Sequence, residues 1–418
     1  MISSGDWLAD TAWAGTRRPL TEATGLPPGA YTDDDFFALE RERVFERAWV
    51  CIGTTPEVAE PGRLLVRSVG RTSILVVRGH DGVVRGFLNA CRHRGTEIVD
   101  TDTDGVTVIR CPYHRWGYDL AGSLIATPRF NDVPRAHFDP ADFGLLPVRV
   151  EAWGCLLFAC LDPATRPLDE WLGDLSDRTV GYELDAWWLH EQLDLEIGAN
   201  WKLISENYQE YYHLAWVHPE LAKVSRVEDH YRYQGSGLYC GQTTTPVSGD
   251  SRDDWMLLPA AAGLDESDSV SGRFVTIFPN VLLSILPNHV FVMRLEPVAP
   301  GLTREHCTFL LPPSTECPSA PDFESTRSFW LDVNNEDIDI VQRSQRGLTT
   351  VGVPAGPLAP RFEEPLHRFH QILADCMTLD SLATIPVPAG DRPDNPDDQW
   401  GSGTNPIPAA IDARSHPP

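Results

Sequence analysis

Two short motifs hold the side chains best suited to chemistry. Cys91-Arg-His93-Arg-Gly95 and Cys111-Pro-Tyr-His114 each pair one thiol with one imidazole, and residues 94–110 separate His93 from Cys111. Two thiolates and two neutral imidazoles can hold a [2Fe–2S] cluster, and exchanging two thiolates for imidazoles removes negative charge and raises its reduction potential. Such a cluster accepts electrons from a ferredoxin-like donor and passes them to something more oxidising. A structural zinc site also takes two cysteines and two histidines, but zinc fingers of that composition group the cysteines in one pair and the histidines in the other. Here each motif supplies one of each. Gly95 permits a tight turn, Pro112 stiffens the second loop, and Trp116 is placed to shield the cluster from water.

The second motif is Glu210-Tyr-Tyr-His213-Leu-Ala-Trp-Val-His218-Pro219. Two histidines and one carboxylate form the facial triad of non-haem Fe(II) oxygenases, which leaves positions open for dioxygen. The stretch Asn200–His213 reads as a helix, and Glu210 and His213, three residues apart, share one face of it. His218 would point about 140° away from His213 on a regular helix, so the helix must bend or stop before it. Pro219 favours a stop, because it biases the preceding residue away from helical geometry. A third ligand has to come from elsewhere. The acidic segment Asn334-Asn-Glu336-Asp337-Ile-Asp339 offers Asp337, with Glu336 and Asp339 as rivals, on a helix predicted over Thr326–Leu348. Tyr208, Tyr211, Tyr212 and Trp216 lie beside these ligands in sequence, where aromatics pack a core more often than they cage a cationic substrate, so none is assigned to a cage; His367 and His370 are read as structural.

Positioning these groups calls for two kinds of scaffold. Leu64–Val69, Ser73–Val77 and Gly82–Leu88 are short β-rich runs broken by Gly and Asp, with a last strand pair over Leu145–Phe158, and both Cys-His motifs fall on loops between strands. That predicts a compact β domain over residues 49–160. Ahead of it, residues 1–48 are read as an N-terminal helical segment packing on the later domain, with a helix over residues 32–48 capped at Thr32 and carrying Asp33, Asp34 and Asp35 in its first turn. Residues 161–385 mix helices with strands at Arg273–Phe278, Val281–Leu286, His289–Leu295 and Thr308–Leu311, and end in a helix over Pro365–Leu379. Residues 386–418 are too polar and proline-rich to pack alone and are expected to form an extended or disordered tail.

Composition sets further bounds. A formal charge of −26 over 418 residues opposes binding to nucleic acid or anionic lipid. The chain has no run of 18 apolar residues and no basic-then-apolar start, so neither a membrane span nor a signal peptide is expected. Nine scattered cysteines suit a reducing compartment, and a cytoplasmic location follows. No flavin or nicotinamide motif occurs, so any use of NAD(P)H calls for a separate flavin- or ferredoxin-type reductase.

Taken together, Cys91-x-His93-Arg-Gly, Cys111-x-x-His114-x-Trp116 and Asn200-Trp-Lys-x-x-x-Glu206-Asn-Tyr-x-Glu210-x-Tyr-His213 followed by His218 resemble the α subunit of Rieske non-haem iron oxygenases. The resemblance implies an α+β architecture: an antiparallel β Rieske domain followed by a helix-wrapped antiparallel sheet of helix-grip (Bet v1-like) type enclosing a substrate cavity. It implies a [2Fe–2S] cluster on Cys91, His93, Cys111 and His114, and mononuclear Fe(II) on His213, His218 and Asp337, with dioxygen as co-substrate. It also implies a head-to-tail homotrimer in which Glu210 bridges His213 of its own subunit to His114 of a neighbour. Glutamate at the bridge, where ring-dihydroxylating relatives have aspartate, is closer to enzymes acting on carnitine, choline and glycine betaine. The activity so implied is hydroxylation of a C–H next to nitrogen, including N-demethylation. The rival readings are an aromatic-ring dihydroxylase and a Rieske electron-transfer protein without catalysis.

Overall fold

The computed structural model describes residues 6–130, 132, 138–225, 227, 230–244, 257–266, 268–315 and 320–387. The tail expected over 386–418 therefore lies almost wholly outside the described residues. The chain forms two compact units, one spanning Arg41–Thr165 and the other combining the chain up to Glu40 with Arg166 onward. The break falls at Glu40 rather than after residue 48, so Arg41–Phe45, a π-helical turn, goes with the first of these units.

That unit is built from short antiparallel strands. β1 (Val50–Thr54), β2 (Leu64–Val69), β3 (Thr72–Arg78), β4 (Val84–Leu88), β8 (Pro147–Trp153) and β9 (Leu156–Cys160) form one sheet in the order β1-β9-β8-β4-β3-β2. Between β4 and β8, β5 (Ile109–Arg110), β6 (Gly117–Tyr118) and β7 (Leu124–Ala126) make a separate three-stranded sheet. Leu64, Leu75, Val77, Phe87, Ile109 and Tyr118 pack into one core, and Cys91 and Cys111 belong to the same cluster. The two thiols thus emerge from an apolar floor, which keeps water from their side of anything they hold.

The other unit centres on a seven-stranded antiparallel sheet. Its strands are β10 (Trp188–Ile197), β11 (His230–Gln234), β12 (Tyr239–Thr244), β13 (Gly272–Ile277), β14 (Val281–Ile285), β15 (Val290–Ala299) and β16 (Leu302–Leu311), in the order β10-β16-β15-β14-β13-β12-β11. Its helices include α1 (Asp34–Glu40), α2 (Trp201–Gln209), α3 (Leu214–Val217), α4 (Leu221–Val224), α5 (Ala320–Leu348) and α6 (Glu364–Thr378). Asp33, not Thr32, caps α1: its side chain accepts the backbone N–H groups of Asp35 and Phe36. Asn200 caps α2 by accepting Lys202 N–H at 3.1 Å, while its amide donates to Pro300 O.

The Asn200-Trp-Lys motif also anchors α1 to α2. Lys202 Nζ donates to Glu40 Oε1 at 2.7 Å and Trp201 Nε1 to Glu40 Oε2 at 2.8 Å, with both members of the ion pair fully buried. Burial pulls the Lys202 ammonium below its ordinary value and pushes the Glu40 carboxyl above its own, and each partner opposes the shift of the other. No helix among the described residues is long and apolar enough to cross a membrane.

Candidate active site

The cluster loops are shaped by hydrogen bonds of their own backbone. Cys91 N–H donates to Thr96 O and Gly95 N–H to Cys91 O, both at 2.8 Å, a turn that places Gly95 at φ +72°, where a side chain is disfavoured. The second loop repeats the plan, with Cys111 N–H on Trp116 O at 2.9 Å and Arg115 N–H on Cys111 O at 3.1 Å. Together they bring His93 Nδ1 and His114 Nδ1 to 3.2 Å. Two nitrogens bound to one ion at about 2.1 Å and near a right angle lie about 3 Å apart, so this spacing fits a shared iron. Trp116 stacks on His93 at 4.9 Å and Phe130 meets Trp116 edge-on at 5.1 Å. Tyr118 is an addition that sequence reading missed. Its hydroxyl oxygen accepts Arg92 N–H at 3.1 Å, which aims its O–H at Cys91 Sγ, 3.3 Å away. Burial pushes the Cys91 thiol above its ordinary value and the Tyr118 hydrogen bond works against that. A hydrogen bond to a cluster sulfur is one of the levers that raise a cluster potential.

The second centre is built where α2 ends. The helix stops at Gln209, and Glu210 is extended at φ −124°, ψ 162°. The break therefore comes eight residues ahead of His218, and Glu210 and His213 do not share a helical face. The physical reason is the Glu210 carboxylate, which takes the N–H groups of Tyr212 and His213 and restarts the chain as α3. His213 opens that single turn and His218 closes it, so their Nε2 atoms meet at 3.2 Å. Asp337 Oδ1 lies 2.9 Å from His218 Nε2 and 3.5 Å from His213 Nε2. All three ligand atoms fall within 4.8 Å of one another.

Both imidazoles are backed by a carboxylate. His213 Nδ1 meets Glu210 Oε1 at 2.5 Å, and His218 Nδ1 meets Glu336 Oε2 at 2.7 Å. Each carboxylate fixes the proton on Nδ1 and leaves the Nε2 lone pair facing the shared centre, the orientation a metal-binding histidine needs. Burial would lower the His218 imidazole, but Asp337 and Glu336 more than offset it and its proton affinity is raised. The pocket thus attracts positive charge. Glu336, weighed from sequence as a rival ligand, supports a histidine instead, and Asp339 pairs with Arg343 at 2.8 Å on an exposed face.

A cavity of about 810 Å³, counting its mouth, opens over this centre. Its walls include Tyr208, Tyr211, Phe274, Phe291 and Trp330. The α5 residues Trp330, Val333, Asn334 and Asp337 recur at helical spacing along one wall. Asn334 is held from behind by the buried Glu305, whose Oε1 accepts its amide at 2.6 Å. Of the aromatics near the ligands in sequence, Tyr208 and Tyr211 line the cavity, whereas Tyr212 and Trp216 are 54% and 82% exposed. His370 Nε2 donates to Glu206 Oε1 at 2.9 Å and His367 Nε2 bonds to Arg18 O, and neither histidine is in the cavity wall.

Residues 48–137 match the Rieske [2Fe–2S] domain and residues 184–379 the ring-hydroxylating α subunit catalytic domain. The chain belongs to the Rieske-type ring-hydroxylating oxygenase α subunits, oxidoreductases that use a [2Fe–2S] cluster with non-haem iron and draw electrons from a separate reductase. Among its relatives is the glycine betaine monooxygenase oxygenase subunit of Chromohalobacter salexigens, 28% identical over 84% of this chain and 85% of that one. A quaternary ammonium Rieske monooxygenase in complex with L-carnitine shares the fold with a TM-score of 0.72 at 24% identity, covering 85% of this chain and 96% of that one. Naphthalene 1,2-dioxygenase from Rhodococcus sp. does so with a TM-score of 0.74 at 21% identity, covering 92% and 100%.

Proposed function

We propose that the chain is a terminal monooxygenase for a small N-methylated or quaternary amine of the glycine betaine, choline or carnitine type. The observation that carries this reading is the aromatic cavity over the His213–His218–Asp337 centre. A quaternary ammonium accepts no ordinary hydrogen bond and is held by the faces of aromatic rings, which Tyr208, Tyr211, Phe274, Phe291 and Trp330 can supply. The glutamate at position 210 and the relative acting on glycine betaine point the same way.

In this reading Cys91, His93, Cys111 and His114 hold the cluster, which relays single electrons from the reductase. His213, His218 and Asp337 hold iron, which supplies the site where dioxygen is reduced and a C–H bond oxidised. Glu210 fixes His213 through Nδ1 in its own subunit and reaches His114 of a neighbour, in a head-to-tail homotrimer. Exposed Tyr113, beside His114, and exposed Trp216, between His213 and His218, are apolar surfaces that such an interface would cover. The cavity walls exclude water and hold the carbon next to nitrogen toward the ligand atoms. One dioxygen, two electrons and two protons convert C–H to C–OH and release water. When the carbon is an N-methyl, the product collapses to formaldehyde and the demethylated amine. A cytoplasmic location, close to the reduced nicotinamide pool, belongs to the same proposal.

The test is a screen of quaternary amines and small aromatic acids for substrate-dependent NADH and oxygen consumption with a surrogate reductase. Stimulation by an amine supports the reading. Stimulation by an aromatic acid alone, with a cis-diol product, replaces it with ring dihydroxylation.

A further inference from the structure

His289 lies outside the cavity wall, in the turn between β14 and β15, and is fully buried. Its Nδ1 meets Asn288 Oδ1 at 2.8 Å, and Trp330 Nε1 donates to its Nε2 at 2.6 Å. An indole N–H can only donate, so Nε2 must carry a lone pair and Nδ1 the proton, which Asn288 accepts. Asn288 is itself fixed, its amide donating to Leu258 O at 2.9 Å. The chain Leu258–Asn288–His289–Trp330 thus ends on an aromatic residue of the cavity wall.

We propose that His289 is a positioning and specificity-determining residue: it pins the indole edge of Trp330 and thereby makes that ring part of the surface that selects a cationic substrate. The inference rests on the amine reading above. Phe291 stacks on Trp330 at 5.5 Å and 25°, and Phe329 meets it edge-on at 5.3 Å, so packing fixes the ring plane and the His289 bond ties down the polar edge of the indole within it. Donation of the indole N–H to a lone pair also shifts electron density into the ring, which strengthens its attraction for a cation. Burial holds the His289 imidazole down at about 3. It therefore stays neutral, and an acceptor, across the whole physiological range.

The decisive experiment measures binding by calorimetry for choline and for its neutral isostere 3,3-dimethylbutan-1-ol, on the loaded protein. His289→Leu removes the acceptor, His289→Gln keeps one, and Trp330→Phe removes the donor. The expected result for His289→Leu is about a tenfold loss of choline affinity, or about 1.4 kcal/mol, with the neutral isostere changed less than twofold. His289→Gln recovers most of the loss, and His289→Leu adds nothing in the Trp330→Phe background. Equal losses for both ligands, or no loss, overturn the inference. A wild-type protein with no preference for choline over the isostere instead sinks the amine reading. The same cycle is then read with indole, and additivity of the two substitutions overturns the positioning role. Should His289→Leu fail to fold, His289→Phe, a planar ring with no acceptor, replaces it in the same cycle with the same expected and overturning results.

Discussion

Glu336 offers the sharpest test of how the mononuclear site is built. Its Oε2 accepts the Nδ1–H of His218 at 2.7 Å, while His218 Nε2 faces Asp337 and His213. Loss of such an outer carboxylate lowers metal affinity about 10- to 100-fold, or about 1.4–2.8 kcal/mol. The Glu336 side chain is 42% exposed, against 11% for Glu210, so water screens it and the effect belongs near the tenfold end. Glu336→Leu is expected to weaken Fe(II) binding about tenfold, Glu336→Gln less because an amide oxygen still accepts, and Asp337→Asn far more because a ligand is lost. Asp339→Leu, two residues along but paired with Arg343 on the outer face, serves as the control and leaves affinity unchanged. Competition with a chromogenic Fe(II) chelator measures each value, and the visible absorbance of the cluster reports that the other centre is intact. Affinity of Glu336→Leu within twofold of wild type would refute the role assigned to the Nδ1 bond, as would an equal loss in Asp339→Leu.

Three further outcomes follow from other parts of the molecule. Glu210→Gln is expected to keep both metal centres, since its amide oxygen can still accept from His213 Nδ1, yet to lose most turnover; full activity would sink the bridging role. Lys202→Met strands a fully buried Glu40 and is expected to cost about 3–5 kcal/mol in denaturant unfolding, with Lys202→Met/Glu40→Gln recovering much of it. His289 has a folded value near 3 against about 6.5 unfolded, so its contribution is fully present above pH 6.5 and is lost as pH falls toward 3, about 1.4 kcal/mol per pH unit. The stability of wild type relative to His289→Gln should therefore shrink across that window, and a pH-independent difference would contradict the buried neutral state.

The proposed ligands stand out in the sequence because metal chemistry restricts residue type and spacing: Cys91, His93, Cys111, His114, His213 and His218 are written as compact motifs on single loops or turns. Asp337 was reachable only as one of three neighbouring carboxylates, because the choice depends on which face of α5 meets α3. The strands β2, β3, β4, β13, β14 and β15 stood out as β-rich runs. β10 did not, because its alternation of Leu189, Leu193, Leu195 and Ile197 with His190, Glu191, Gln192, Asp194 and Glu196 is interrupted by a register shift between Leu189 and Glu191. The cavity was the least legible part. Phe274, Phe291 and Trp330 come from two strands and a distant helix, and single aromatics in apolar runs carry no signal that distinguishes wall from core. Tyr118 and His289 were hidden for a related reason: each acts through one hydrogen bond that exists only after folding.

The central claim is that electrons delivered through the cluster hydroxylate a C–H beside nitrogen. Its most direct measurement is the stoichiometry of NADH oxidised, dioxygen consumed and aldehyde formed, with a surrogate reductase and glycine betaine, choline or carnitine as substrate. The account predicts one aldehyde per NADH and per dioxygen for at least one of these amines, with formaldehyde when an N-methyl is attacked. NADH and dioxygen consumption with no aldehyde from any amine, alongside a cis-diol from an aromatic acid, would contradict it.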